Sequence, residues 1–439
     1  MRFGVSVKNI VPPFRTCMGG YGGRRDYFDG VNDPITFTAI VIEEGGKRAL
    51  LSGADLCHFP DDGSTGPLLD AVGAAVGCPR DSVILNASHT HGGPRVPGAN
   101  AYYRNRYDTR ASGRFGVWLG EQVLAGAREA AENLQEGTLW YGERKTTLPM
   151  NRRLFRDGRV HNAPNPDGPV DDRLQILAFR NAAGELSAVA MKGSAHPVAT
   201  GAQHLLTADY PGAWRAEFSR AFGPSVTPLF LQGAGADARP RRVADGDRWT
   251  GMRHDQLHVI GEDLMAECLR VLTGTALREI RNLAIEGRIA TVKAPCERRY
   301  TRREQFEEML KGGSEAMLDY AHDGLRAFDE GRGVPDRATY QVQTIRVSPE
   351  LALITIDAEV LCGLGAKVEA ALAPAQTILL GCTNGYVEYV ADSEELARGG
   401  YEASSYLFQG WTGPLLPGVE HLMAEAVRRT EVTDTANRE

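Results

Sequence analysis

Uninterrupted apolar runs that stop at chemically useful residues constrain this chain more than any other feature. The run Leu351-Ala352-Leu353-Ile354-Thr355-Ile356 has the pattern of a strand buried on both faces, and it ends at Asp357-Ala358-Glu359. Carboxylates at such an end are costly unless a cation or hydrogen bonds offset them. A second run, Val83-Ile84-Leu85, ends at Asn86-Ala87-Ser88-His89-Thr90-His91-Gly92-Gly93-Pro94. Residues i and i+2 of a strand share a face, so His89 and His91 are expected to point into one site. That suits a metal ligand beside a proton-transfer group; hydrogen-bonded surface histidines are the bland alternative, and the rest of the chain must supply further ligands. His196 is a candidate, because it follows an apolar strand at 186 to 192 and Pro197 stops the ladder behind it.

These runs alternate with helical patterns. Strands are expected at 35 to 43 and 48 to 56, joined by Glu44-Gly45-Gly46-Lys47 as a hairpin, then at 139 to 147, 174 to 180, 226 to 231 and 377 to 380. Helices are expected at 64 to 77, 112 to 134, 249 to 272 and, as one long charged cover, 301 to 331. Another begins at Asp209-Tyr210-Pro211, with Asp209 read as its cap. Strand and helix alternation on this scale is the mark of an α/β (mixed α+β) chain whose sheets are covered by helices. His254 and His258 lie four apart on one face of the 249 to 272 helix, but Asp255 stands where a zinc protease helix needs Glu, so they read as a surface face.

Three loops attract notice. The stretch 14 to 34, rich in Gly, Arg and aromatics, reads as an ordinary connection, with closure over a site as the alternative. The strand from 139 ends at Met150-Asn151-Arg152-Arg153, and residues 154 to 168 read as a Gly-, Asn- and Pro-rich loop. Gln232-Gly233-Ala234-Gly235-Ala236-Asp237 after a strand resembles a dinucleotide turn only superficially, since the spacing fails and Pro240 with Arg239, Arg241 and Arg242 opposes a helix. Its glycines are expected to allow close backbone approach.

The 439 residues carry a formal net charge of -7 with both signs interspersed, which argues against nucleic acid or an anionic membrane as partner and for a small-molecule substrate. Seven cysteines without a Cys-x-x-Cys pair, and no export-type or bilayer-length apolar run, point to a reducing, cytoplasmic setting. Oligomeric state is left open by the sequence. Residues 1 to 430 are expected to form one domain and 431 to 439 a frayed tail.

The pieces Asn86-Ala87-Ser88-His89-Thr90-His91-Gly92-Gly93-Pro94, Asn151-Arg152, Ala195-His196-Pro197, Phe230-Leu231-Gln232-Gly233 with Ala236-Asp237, Asp357-Ala358-Glu359, and Asn384-Gly385-Tyr386 through Tyr389-Val390 with Tyr401-Glu402 occur in an order that resembles the catalytic domain of the neutral (non-lysosomal) ceramidases. These are zinc amidases that hydrolyse an N-acyl bond. The resemblance implies a four-layer αββα sandwich with two mixed β-sheets flanked by helices. It implies Zn²⁺ held by His89, His196, Glu359 and Tyr389, His91 as acid/base, and Arg152 as a substrate contact, with Arg152 or Tyr389 stabilising an oxyanion. In one departure, Arg239 stands where the family carries serine, and with no membrane-seeking segment this favours a substrate other than a lipid. Alternative readings are the same zinc chemistry on a sugar derivative or ester, and a non-catalytic binding protein, against which the retained His91 argues.

Overall fold

A computed structural model describes residues 1–431 of the chain. Its largest sheet has nine strands, in the order Thr227–Gln232, Leu186–Gly193, Arg173–Asn181, Gln135–Lys145, Arg2–Asn9, Thr36–Glu44, Lys47–Ala54 and Val83–Ala87, with Arg278–Ile280 beside Gln135–Lys145. The pairs at the two ends of this order, 186–193 with 227–232 and 47–54 with 83–87, are parallel, and the others are antiparallel. The two edge strands approach each other again: the Asn86 side chain accepts from the Gln232 amide at 2.8 Å. A second mixed sheet runs Glu286–Pro295, Arg337–Ser348, Leu351–Ile356, Gln376–Leu380, with only the last pair parallel.

Burial divides the molecule into layers. Phe3, Ile40, Leu51, Ile84, Leu177 and Leu229 of the large sheet meet Ile345, Leu353, Ile378 and Leu380 of the second in one apolar cluster. On its other face the large sheet packs under Thr65–Val76 and Thr109–Glu132 at one end and Tyr210–Phe222 and His258–Leu272 at the other. The second sheet packs its far face against Arg303–Met309, Glu315–Asp329, Cys362–Glu369 and Val419–Glu431. Helix, sheet, sheet, helix is therefore the order of layers, as expected from the resemblance. It explains the apolar runs: strands covered on both faces need no polar alternation.

Some expectations are corrected. The helix expected over 301 to 331 is two, broken at Gly312-Gly313, where Ser314 caps the second by accepting from the Met317 amide. It is not a solvated cover throughout, since Tyr320, Ala321 and Ala327 are buried. Residues expected as loop after 153 belong to a hairpin, Pro149–Arg156 with Arg159–Asn165, turning at Asp157-Gly158, both with positive φ. Asp-Gly is the favoured pair for that turn. The helix expected from 249 begins at His258, leaving His254 in the single turn before it, so the two histidines do not share a helical face. Of the expected tail, Glu431 ends the Val419–Glu431 helix and 432 to 439 lie outside the described residues.

Candidate metal and acid/base site

The ends of several buried strands meet at one place. Val83–Ala87 delivers His89 and His91, Leu186–Gly193 delivers His196, Leu351–Ile356 delivers Glu359, and Gln376–Leu380 leads through residues 381 to 388 to Tyr389. Parallel strands end on the same side of a sheet, and ligand sites gather beyond their carboxyl ends. Glu359-Val360 pairs in parallel with Tyr389-Val390, which fixes the carboxylate and the phenol in register.

His89, His196 and Glu359 are all buried, and their donor atoms converge within 4.8 Å. His89 Nδ1 donates to the Cys57 carbonyl at 2.7 Å, and His196 Nδ1 to the Gly235 carbonyl at 2.9 Å. Those bonds assign the proton of each neutral imidazole to Nδ1 and leave Nε2 as a lone pair. Both Nε2 atoms face the same Glu359 Oε2, at 3.2 Å and 3.1 Å. Lone pairs facing a carboxylate oxygen repel unless a proton or cation lies between them. Two ligand atoms about 2.05 Å from one tetrahedral ion stand roughly 3.3 Å apart, so the donor set and its spacing fit zinc. The backbone acceptors behind each ring are the outer partners that metal-bound histidines use.

Electrostatics agree. Burial presses His89 toward neutrality, yet Glu359 and then Cys382 and Cys57 outweigh it and hold its pKa well above the usual value. The two histidines, His89 first, outweigh burial at Glu359 and hold it ionised. A second cluster, Cys57, His89 and His91, shares His89.

His91 Nε2 lies 3.4 Å from His89 Nε2. Burial, then the neighbouring His89 and His196, hold its pKa well below the ordinary range. Its neutral Nε2 stands beside the candidate metal ligands. The loop at 14 to 34 closes over it: the Tyr21 ring meets His91 edge-on at 4.8 Å, and Arg24 donates to the His91 carbonyl at 2.5 Å. A Cβ on Gly20, whose φ is +91°, would sit 2.4 Å from His91 Cγ. Closure over the site is therefore correct, and ordinary connection is not.

Arg152 stands on the hairpin strand Pro149–Arg156, donates to Glu402 at 3.0 Å and reaches His196 Nε2 at 3.2 Å. Its guanidinium lies 5.5 Å from the centre of the Tyr389 ring. Burial, then Glu359, hold the Tyr389 phenol well above its usual pKa. Tyr386, quoted in the sequence without a role, donates to Glu359 Oε1 at 2.6 Å. Glu388 beside it is pushed up to about 8 by burial and then by Glu359.

His89, His91, Glu359, Arg152, Tyr21, Tyr386, Glu388 and Tyr389 line one cavity of about 230 Å³, together with His58, Arg95, Tyr103 and Arg239. Sequence reasoning missed His58 and Arg95. His58 had a signal: it follows the buried strand Lys47–Ala54, as His89 follows its own. Arg241 and Arg242 lie elsewhere, Arg242 paired with Asp263 at 2.7 Å. Asp209 is a cap, accepting from Tyr210 at 2.7 Å, and it also accepts from Ala199 and Thr200 beyond His196. The glycine-rich turn makes the expected close approach: a Cβ on Gly235 would sit 2.5 Å from the Ser194 backbone. Asp237 turns away from the site to accept from the Cys362 amide at 3.1 Å.

No protein-family model and no curated protein matches the chain. Among solved structures, neutral ceramidase from Pseudomonas aeruginosa superposes with a TM-score of 0.73 at 20% identity, covering 98% of this chain and 74% of that one. A ceramidase complexed with C2 gives a TM-score of 0.73 at 19% identity, over 97% and 74%. The chain carries the fold of the neutral ceramidases over nearly its whole length.

Proposed function

We propose that this protein is a zinc-dependent hydrolase of the neutral ceramidase family that cleaves the N-acyl bond of a small linear amide. The observation that carries the reading is the convergence of His89 Nε2, His196 Nε2 and Glu359 Oε2 beside an unprotonated His91. His89, His196 and Glu359 would hold Zn²⁺, with Tyr389 as a weaker fourth donor. When bound, the ion supplies Lewis acidity, lowering the pKa of water toward 7 and polarising the amide carbonyl. His91 Nε2 accepts the proton of the attacking water and returns it to the departing nitrogen. Tyr21 and Arg24 hold that ring and its backbone in place. Arg152, kept charged by Glu402, and the phenol of Tyr389 face the negative charge that grows on the carbonyl oxygen.

Cavity size supports a small substrate. About 230 Å³ is below the roughly 300–1,000 Å³ of sites for drug-sized ligands. No helix among the described residues is long and apolar enough to cross a membrane. All seven cysteines are free, which favours the reducing cytoplasm, and we read residues 1 to 430 as one catalytic domain.

Metal analysis tests the proposal first: purified protein is expected to contain stoichiometric zinc and to lose thermal stability in chelator. Protein without zinc whose melting is indifferent to chelator overturns it. His91→Ala is expected to keep the metal and lose about 10²- to 10⁴-fold in turnover of N-acyl amides. A variant that loses zinc, or retains turnover, removes the acid/base assignment.

A further inference from the structure

We propose that Arg239 is the specificity-determining residue of this site and that the substrate carries a carboxylate, which Arg239 binds. The inference rests on the amide hydrolase reading above. Three arginines line the cavity, and they are held differently. Arg152 has Glu402 as counter-charge at 3.0 Å. Arg95 is sandwiched over the rings of Tyr103 and Tyr107, at 3.5 Å and 4.6 Å from their centres. Arg239 has neither arrangement: its side chain makes no ion pair or hydrogen bond among the described residues, and its only ring contact is Trp249 at 5.3 Å.

Arg95 also has unpartnered nitrogens, Nε and Nη2, but its guanidinium is enclosed between two rings, whereas that of Arg239 is not. Its Nε is buried without a partner. Burial, and after it the charge of Arg152, press its pKa down against the smaller favourable influence of Tyr21, Tyr389 and Glu402, and the side chain keeps its charge. Arg239 is half-buried, and the part of its charge turned into the cavity, without a protein partner, gains most from an anion that arrives to pair with it. The backbone of Arg239 is fixed, paired with Met150 one residue before the hairpin's Asn151-Arg152. The anion it awaits therefore lies close to Arg152 and the metal group. A carboxylate matches the planar fork of a guanidinium, which it engages through two parallel hydrogen bonds.

The test uses two matched pairs of substrates and reads both hydrolysis and binding. N-acetylglycine against N-acetylglycinamide places the carboxylate on the amine half. N-succinylglycinamide against N-butyrylglycinamide places it on the acyl half. The expected result is that one pair shows a preference of about 10- to 100-fold in kcat/KM for the carboxylate, the range of a charge-assisted pair. In Arg239→Gln that ratio collapses toward one, and in Arg239→Lys it partly returns, which separates lost charge from lost folding. A ratio near one in both pairs, or a preference that survives in Arg239→Gln, overturns the proposal. Calorimetric binding of the same compounds keeps the two readings apart. Carboxylates that bind in an Arg239-dependent way without being cleaved leave the anion subsite standing and remove the hydrolase. Neutral amides cleaved without preference do the reverse, and compounds that neither bind nor react remove both.

Discussion

Asp171→Asn is a direct test of how the fold holds the strand that delivers His196. Lys192, on that strand, is only 1% exposed, and its ammonium pairs with Asp171, itself 6% exposed. Asp171 also accepts from Ser194 Oγ at 2.9 Å, two residues before His196, and from Arg173 Nε at 2.9 Å. Burial alone would raise the pKa of Asp171, but Lys192 and then Arg173 outweigh it and bring it from 3.8 down to about 2. That depression corresponds to about 2 kcal/mol of stability. A depressed carboxylate stabilises fully above its unfolded value and loses the contribution as pH falls through its folded value. The asparagine variant has nothing to titrate there and leaves Lys192 buried and unpaired, a cost of about 3–5 kcal/mol at pH 7. Urea unfolding of wild type and variant should show that gap at pH 5 to 7 and should show it narrowing by about 1 kcal/mol at pH 3, midway through the window. Replacing both partners, Asp171→Leu with Lys192→Met, should recover most of the loss, because apolar packing substitutes well for a buried pair. A single-variant cost under about 1 kcal/mol, or a gap that does not change with pH, would refute the account.

Two further substitutions probe the site from other sides. Gly20→Ala puts a Cβ into the His91 ring at a φ of +91°; it should cost about 1–2 kcal/mol in stability and lower turnover far more than it raises KM, and a variant with normal kinetics would show that the 14 to 34 loop does not position His91. Asn86→Leu removes the side chain that donates to the Gly381 carbonyl at 2.8 Å and accepts from the Gln232 amide at 2.8 Å; orphaning those buried groups should lower chemical stability by about 2–4 kcal/mol and weaken metal retention, and an unchanged urea midpoint would contradict it.

What was legible in the sequence follows from one rule: a strand buried on both faces has no place for polar atoms except at its end. His89, His196 and Glu359 each stand just beyond such an end, and the structure brings all three to one point. The layers were legible for the same reason, since continuous apolar runs demand cover on both faces. Less legible were groups whose meaning depends on closure of the chain. Arg95 follows a loop, and nothing local separates it from the surface arginines; only its stacking on Tyr103 and Tyr107 does. Arg239 was visible as a residue out of place, but not its lack of a counter-charge. The Asp157-Gly158 hairpin had its signal and was lost among the neighbouring glycines and prolines. The break at Gly312-Gly313 was likewise written in the sequence and overridden by helical charge patterning on both sides.

The remaining difficulty is backbone strain, which no local pattern announces. His89 has φ of 65°, and Cys382, Asn384 and Glu388 opposite it also lie at positive φ. Left-handed geometry is costly for Cys382 and Glu388 and less so for His89, while Asn384 adopts it readily, so the first three are held by contacts from elsewhere. Asn384 takes part: its side chain accepts from the Leu85 amide at 2.7 Å and donates to the Val83 carbonyl at 2.8 Å, binding the loop after one sheet to the strand of the other that leads to His89. The Ala87 amide donates to the Cys382 carbonyl at 3.0 Å, across the same seam. Residues some three hundred positions apart thus impose the conformation in which His89 turns its Nε2 toward Glu359. A site made this way is assembled by the docking of the two sheets, so the strain at His89 is the local cost of joining donors that neither sheet carries alone.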